Sequence, residues 1–182
     1  GIELGRSAYQ PHPAVDCFRN RYGDCKDQAV LLAAMLRHLG IEAHLALVRA
    51  GDGTVDRELP DVGQFNHVIV YVPRPNGPLW LDATVKYMDE ASHPHHLDSA
   101  QALIATAAEG TEFVTIAPPG PDRSCQRTIY EVDVQAQGSC RIKETMEYVG
   151  RNGAQSRVGY ENLSPKRRKK VEEAVQKLAA AL

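Results

Sequence analysis

Residues 19–44 read RNRYGDCKDQAVLLAAMLRHLGIEAH, and they place Cys25 where a polar segment gives way to a helical pattern. Apolar side chains recur there at spacings of three and four, which predicts an amphipathic helix over residues 25–39. These side chains are Ala29, Leu32, Ala33, Leu36 and Leu39. Gly40 follows as a typical C-terminal stop. Cys25 therefore lies at or near the first turn of the helix, where unpaired backbone N–H groups and the helix dipole stabilise a thiolate.

That position suits a nucleophilic cysteine, and a structural cysteine does not need it. Lys26 favours the thiolate, whereas Asp24 and Asp27 oppose it, so the neighbouring charges do not decide between the two roles. The other cysteines are Cys17, Cys125 and Cys140, and no CxxC pair is present. Their number and spacing predict neither a disulfide scaffold nor a zinc site.

Three further segments predict strands. They are residues 41–49, 65–72 and 78–85, which read IEAHLALVR, FNHVIVYV and PLWLDATV. Residues 73–77 separate the last two segments and include Asn76 and Gly77, a pair that supplies the positive φ angles of a tight turn. The last two segments are therefore expected to form a hairpin.

This hairpin brings together a base and a carboxylate. If His67 lies directly opposite Asp82 in the hairpin, the centre of the turn falls between Arg74 and Pro75, which is inside the expected turn. Asp82 could then accept a hydrogen bond from one ring nitrogen of His67 while the other faces the thiol, as a nucleophilic cysteine requires. Each residue alone is more simply a strand histidine or a strand-end cap, but together with Cys25 they favour an active site.

The segments YGDCKDQAVLLAAMLRHLGIEAHLALV, FNHVIVYV and LWLDATV resemble the core of the transglutaminase-like superfamily, which carries Cys, His and Asp in this order on a papain-like fold. More narrowly, GIELG, YGDCKD, FNHVIV and WLDAT resemble bacterial members in which this core lies between two strand-rich flanking domains. The resemblance implies an α+β fold in which the helix carrying Cys packs on an antiparallel sheet. It makes Cys25 the nucleophile, His67 the general base and acid, and Asp82 the residue that orients the imidazole.

The resemblance also implies an activity, cysteine-dependent acyl transfer on an amide or peptide through a thioester. Water would resolve the thioester in a protease or amidase, and an amine would resolve it in a transglutaminase. No cofactor is expected, and the expected partner is a peptide or protein substrate. The alternative is a catalytically silent interaction module, which the intact set of Cys25, His67 and Asp82 argues against because a silent copy is free to lose any of them.

Two details of the site stay open at the level of sequence. Ala83 stands where such cores commonly have proline after the aspartate, which could loosen the end of the strand. The backbone N–H of Cys25 is a natural oxyanion donor, and Tyr22 is a candidate for a second donor, although ring packing at the helix start explains Tyr22 more simply.

The resemblance places a transglutaminase-like core at residues 1–117, a linker at 118–122 and a partial β-rich downstream domain with a C-terminal helix at 123–182. Residues 86–110 are mixed, with SAQALIATAAEG expected to be a short helix or irregular. Two alternating runs around Gln137 and Gly138 predict a second hairpin, solvated on one face. Ser164 and Pro165 predict the start of the last helix. Its apolar stripe, which needs a partner surface, is Val171, Val175, Leu178 and Leu182.

Composition limits the other functional classes. The 21 basic and 23 acidic residues nearly cancel, and 43% of residues are hydrophobic, so a buried core is expected and nucleic acid is not an expected partner. No membrane span is expected. Because the chain begins GIELG without methionine, an upstream part is expected to have been removed, so the compartment, cytoplasmic or periplasmic, stays open. The resemblance implies that missing upstream and downstream domains contact this chain. A metal site at the SHPHHLD segment is not favoured, since Pro94 interrupts its candidate ligands. These are His93, His95, His96 and Asp98.

Overall fold

The computed structural model describes residues 9–59, 61–89, 92–106 and 110–180. The opening GIELG and Leu182 of the expected helix stripe lie outside this part of the chain, and the side chain of Leu178 is not described.

Two helices form the N-terminal part of the described chain. α1 (Ala14–Asn20) was not predicted from the sequence. α2 (Cys25–His38) confirms the predicted helix, with Cys25 as its first residue. Gly40 has φ +76° and follows the end of α2, where the Ile41 N–H donates to the Leu36 carbonyl, so the predicted glycine stop is confirmed.

Five antiparallel strands form the main sheet in the order β3-β2-β1-β4-β5. They are β1 (His44–Arg49), β2 (His67–Val72), β3 (Leu79–Leu81), β4 (Gln101–Thr106) and β5 (Gly110–Thr115). The expectation of a short helix or irregular segment within SAQALIATAAEG was wrong, because residues 101–106 form β4 and pair with β1 along their length. Ala102 and Ile104 are both fully buried and lie two residues apart, which is the period of a strand. The alanine-rich composition of the segment hid this period in the sequence.

The two faces of the sheet carry separate apolar clusters. α2 packs on one face, and the cluster there is Ala29, Ala33, Ala43, Val70 and Val72. A 3₁₀ turn (His95–Leu97) and the segments beside it cover the other face. The cluster there is Ala46, Val48, Ile69, Leu97, Ala100, Ala102, Ile104 and Ile116. This helix-on-sheet arrangement is the α+β fold that the sequence predicted.

The β2–β3 hairpin has a different register from the expected one. Val70 pairs with Leu81 and Val72 with Leu79, so the pairing is shifted by two residues and the turn is centred between Pro75 and Asn76. Gly77 closes the turn by donating to the Arg74 carbonyl at 3.2 Å, and it has φ +100°. Because the side-chain period of a strand is two, a shift of two leaves every residue on its expected face.

The second hairpin, β6 (Gln126–Val134) with β7 (Cys140–Tyr148), confirms the prediction of two strands around Gly138. The expectation that only one face is solvated was wrong, since both strands are exposed along almost their entire length. One face carries ion pairs such as Arg127 with Glu147, and the other carries exposed apolar side chains. The apolar ones are Tyr130, Val132, Val134, Ile142, Met146 and Tyr148.

Two helices end the described chain, α3 (Arg151–Glu161) and α4 (Pro165–Ala180). The sequence pattern predicted only the last of these helices, and α3 was not predicted. The start of α4 is as predicted, since the Arg168 N–H donates to the Ser164 carbonyl at 2.9 Å. The described part of its apolar stripe is exposed at Val171 and Val175. No helix in the described ranges is long and apolar enough to span a bilayer.

Candidate active site

The start of α2 is held by a set of carboxylate contacts that fixes the position of Cys25. Asp24 is the N-cap and accepts from the Lys26 and Asp27 N–H groups, while the Asp27 side chain accepts from the Asp24 N–H. Asp27 is buried and also accepts two hydrogen bonds from His12, at 2.7 Å from the backbone N and 3.0 Å from Nδ1. Asp27 thus ties the segment before α1 to the helix, a role that the sequence analysis missed although the DCKD spacing is that of a capping box.

Cys25 contacts the beginning of β2 through its sulfur. The pKa of the thiol is lowered, chiefly by a hydrogen bond with the His67 side chain and further by the Val68 N–H. Burial and the charge of Asp24 act against this lowering but do not cancel it. Burial instead raises the pKa of Cys17, which is 5% exposed, so these two thiols shift in opposite directions. This contrast is typical of a reactive cysteine beside a structural one.

His67 and Asp82 are hydrogen-bonded, with Nε2 of the ring 2.8 Å from Oδ2 of the carboxylate. Burial acts to lower the pKa of His67, but the contacts with Asp82 and Cys25 outweigh it and raise the pKa to about 9. Burial likewise acts to raise the pKa of Asp82, but its hydrogen bonds and charge contacts hold it at about 2. Because Nε2 is occupied by Asp82, Nδ1 is the nitrogen left for the thiol, and the three side chains form a hydrogen-bonded row.

Asp82 follows directly after β3, and its second oxygen is held by Thr84. The Thr84 N–H and hydroxyl both donate to Oδ1, at 2.9 and 2.6 Å. Thr84 therefore fixes the carboxylate, and Asp82 remains hydrogen-bonded to His67 with Ala83 as the next residue. The sequence analysis did not identify this role, although an Asp followed two residues later by Thr is a common local hydrogen-bonded turn.

A second histidine lies beside the same carboxylate. His96 Nε2 is 3.5 Å from Asp82 Oδ2, and the His96 ring stands edge-on to the His67 ring with centroids 5.6 Å apart. The candidate ligand atoms of His67, Asp82 and His96 all lie within 4.8 Å of one another. Sequence analysis considered His96 only with its neighbours in the SHPHHLD segment, because no local pattern shows that the turn at 95–97 packs next to β3.

The rest of that segment forms a different cluster. Both carboxylate oxygens of Asp98 accept from Arg151 Nη1 at 2.7 Å. Asp98 also lies 3.1 Å from His93 Nε2 and 3.5 Å from His95 Nδ1. The guanidinium already compensates the Asp98 charge, so the four ligands considered in the sequence are not brought together around an open position.

A cleft of about 380 Å³ opens beside the Cys25 sulfur. Its lining is mostly apolar and comes from α2, β1, β2, β4 and the loop before β2. Apart from Cys25 and His67, the lining includes Val30, Leu45, Leu47, Val62, Phe65, Val68 and Ala105. A second hollow of about 320 Å³ adjoins it, sharing Leu47, Val62 and Phe65. Cys25 thus lies beside an apolar groove on the same sheet face as α2, over the part of that face that α2 does not cover.

Tyr22 and Trp80 do not lie where a substrate contact would need them. Tyr22 is 69% exposed and lines a separate depression beside Cys17, so both the oxyanion role and the packing role expected for it were wrong. Trp80 packs against the apolar cluster on the 3₁₀-turn face, with its ring 5.0 Å from that of Tyr71. Trp80 is therefore part of the core packing beside the site.

Comparison with known protein families gives a match for the part of the chain that contains this site. Residues 3–85 match the family model described as the transglutaminase-like superfamily, and the matched span contains Cys25, His67 and Asp82. Neither curated proteins nor solved structures give a match.

Proposed function

We propose that the chain catalyses cysteine-dependent acyl transfer on an amide or peptide, with Cys25, His67 and Asp82 as its catalytic triad. The match of residues 3–85 to the family model of the transglutaminase-like superfamily supports this proposal. The observation that carries the proposal is the continuous row of hydrogen bonds from the Cys25 thiol through His67 to Asp82. It supplies a nucleophile, a base within reach and a group that holds the base.

The proposed reaction follows from the proton positions in this row. The Cys25 thiolate attacks the carbonyl carbon, a C–S bond forms, and the negative charge passes to the carbonyl oxygen. When the C–N bond breaks, the leaving amine takes a proton from Nδ1 of the His67 imidazolium. Water or an amine then attacks the thioester, His67 takes the proton of the nucleophile, and the C–S bond breaks to restore the thiolate. Asp82 keeps Nε2 protonated and the ring oriented throughout.

The groove beside Cys25 supports an apolar acyl donor. Aliphatic and phenyl side chains dominate the lining, although it also includes Asp24, Lys26 and Asn66. Most of the buried surface of a substrate would therefore meet apolar groups. A volume of about 380 Å³ can hold one bulky side chain of the donor, and the adjoining hollow can hold the next. We therefore infer that the acyl side of the substrate presents apolar side chains.

Covalent labelling tests this proposal before any natural substrate is known. The chain is treated with an electrophile that carries an N-acyl-phenylalanine group, and a matched electrophile that carries N-acyl-aspartate serves as control. Intact mass and peptide mapping should show one label at Cys25, with faster labelling by the apolar reagent. Cys25→Ala should remove that label, and His67→Ala should slow it strongly.

Two results would count against the enzyme. One is labelling of Cys17, Cys125 or Cys140 in preference to Cys25, and the other is labelling of Cys25 at a rate that His67→Ala leaves unchanged. Either result would favour the alternative of a catalytically silent interaction module. Hydrolysis and transfer are distinguished afterwards, by adding a primary amine to a turnover assay and comparing the acid and amide products.

A further inference from the structure

We propose that His67, Asp82 and His96 form a binding site for a zinc ion, and that zinc bound there switches the triad off reversibly. The binding part of this inference stands on the arrangement of the three side chains alone. The inhibition part rests on the acyl-transfer function proposed above.

The three ligand atoms have the separations that a tetrahedral metal needs. At metal–ligand distances of about 2.0–2.1 Å, neighbouring ligand atoms of a tetrahedral zinc lie about 3.3 Å apart. His67 Nε2 lies 2.8 Å from Asp82 Oδ2, and His96 Nε2 lies 3.5 Å from the same oxygen. No pair of the three atoms is more than 4.8 Å apart. A small adjustment of the most exposed of the three side chains, His96, would complete the geometry.

Burial gives each ligand a suitable role. The Asp82 and His67 side chains are 1% and 13% exposed, which provides a fixed and poorly hydrated base for the site. The His96 side chain is 46% exposed, so the ion can reach the other two ligands from that side and His96 can close over it. Thr84 holds the remaining oxygen of Asp82, as a metal-binding carboxylate is usually held by an outer hydrogen bond.

The donor set selects the metal. Two imidazole nitrogens and one carboxylate oxygen suit Zn²⁺, whereas Mg²⁺ and Ca²⁺ require more oxygen ligands than these residues supply. Three protein ligands leave a fourth position for water. The Cys25 sulfur lies at the other nitrogen of the His67 ring and is not part of this set.

Zinc at this position would remove the proton-transfer capacity of His67. The metal takes the Nε2 lone pair, so the Nε2 proton that pointed at Asp82 is released to solvent, and the carboxylate binds the metal instead. The ring then keeps only its Nδ1 proton and can neither accept a second one nor donate this one without becoming an imidazolate. General acid and base steps both stop, and removal of the metal restores them.

Calorimetric titration of the full chain with zinc chloride tests the site without any substrate. We expect one zinc ion per chain, affinity at least tenfold weaker for His96→Ala and for His96→Asn, and no comparable binding of Mg²⁺. His95→Ala is the matched control, because His95 is on the same turn, is 56% exposed and contacts Asp98 instead. This control should bind zinc like the unchanged chain. Cys25→Ala should also keep the site.

A cobalt-substituted sample identifies the ligands directly. The expected visible spectrum is that of a tetrahedral ion with nitrogen and oxygen ligands. An intense sulfur-to-cobalt charge-transfer band, or loss of zinc binding in Cys25→Ala with full binding in His96→Ala, would place the metal on the thiol and overturn the proposal. Equal affinity of His95→Ala and His96→Ala would overturn it too.

Inhibition is measured separately in the turnover assay. Zinc should inhibit the unchanged chain, a chelator should reverse this, and His96→Ala should need at least tenfold more zinc. If zinc binds with the expected variant pattern but no turnover exists, the acyl-transfer function fails while the site stands. If turnover exists and His96→Ala is equally sensitive to zinc, the inhibition part fails.

Discussion

Among single residues, His67 has the largest influence on the acidity of the Cys25 thiol. Its hydrogen bond is the main cause of the lowered pKa, and burial opposes it. His67→Ala should therefore raise the pKa of Cys25 at least to its ordinary range, and at pH 7 each unit gained removes about nine-tenths of the thiolate. The pH dependence of the rate of iodoacetamide alkylation measures this pKa directly. An unchanged profile would show that the helix start alone sets the acidity.

The same histidine makes stability depend on pH in a defined direction. The pKa of His67 is raised from 6.5 to about 9, so its favourable contribution is complete below pH 6.5 and is lost as pH rises through 9. The pKa of Asp82 is lowered from 3.8 to about 2, so its contribution is complete above pH 3.8 and is lost as pH falls through 2. The pair therefore stabilises the fold most between pH 3.8 and pH 6.5.

Urea unfolding of the unchanged chain and of His67→Gln over a pH series checks this window. We expect the difference in unfolding free energy to be largest at pH 4 to 6.5 and to shrink steadily toward pH 9. His38→Gln serves as the control, because His38 is exposed at the end of α2. A difference that rises up to about pH 6.5 and then stays flat from pH 7 to 9 would mean that His67 is neutral in the folded chain.

The residues of the site differ in how far sequence could predict them. Cys25, His67 and Asp82 follow from local rules: a helix start, a strand, and the parity of a hairpin. The expected register was wrong by two residues, but His67 and Asp82 still lie on the same face of the hairpin. Only a shift by an odd number of residues moves a side chain to the other face. The position of His96 could not be predicted in this way. His96 lies in a short turn, and the sequence of that turn carries no pattern showing that it packs beside Asp82.

At the scale of elements, β4 determines the floor of the groove. Its alanines were mistaken for a helical or irregular segment, since a small side chain signals neither period strongly. In the sheet, Ala102 faces the core while Ala105 lines the cleft beside Cys25. A small residue at position 105 leaves room that a larger one would fill.

Ala105→Phe should therefore reduce turnover of acyl donors with bulky apolar side chains by about 10- to 100-fold, as filling a specificity pocket usually does. Alkylation of Cys25 by the small reagent iodoacetamide should stay within about twofold, because the thiol and His67 are unchanged. Ala105→Ser is the matched control and should retain both activities. Equal turnover of apolar donors by the serine and phenylalanine variants would show that the donor lies elsewhere.

At the scale of the whole molecule, the two sheets are separate but the segments around them are joined. Strands β1 to β5 form one sheet and β6 with β7 the other, and the division at residues 118–122 stays a prediction. Side-chain hydrogen bonds between described residues cross that division on either side of α3. Arg151 at the start of α3 binds Asp98 beside the 3₁₀ turn, and Glu161 at its end binds Lys86 and Tyr87 just after the site.

Of these two connections, the Arg151–Asp98 pair is the stronger, because the Arg151 side chain is only 13% exposed and reaches both carboxylate oxygens at 2.7 Å. Arg151→Ala should cost about 1–3 kcal/mol locally, as loss of a charged hydrogen bond does. Hydrogen exchange should become faster in α3 and in the turn at residues 95–98, while β1 and β2 keep their protection. Arg157→Ala, on the exposed side of the same helix, should leave exchange unchanged. Faster exchange throughout the main sheet would mean that α3 supports the whole core, and no change anywhere would mean that the pair contributes nothing to joining the two parts.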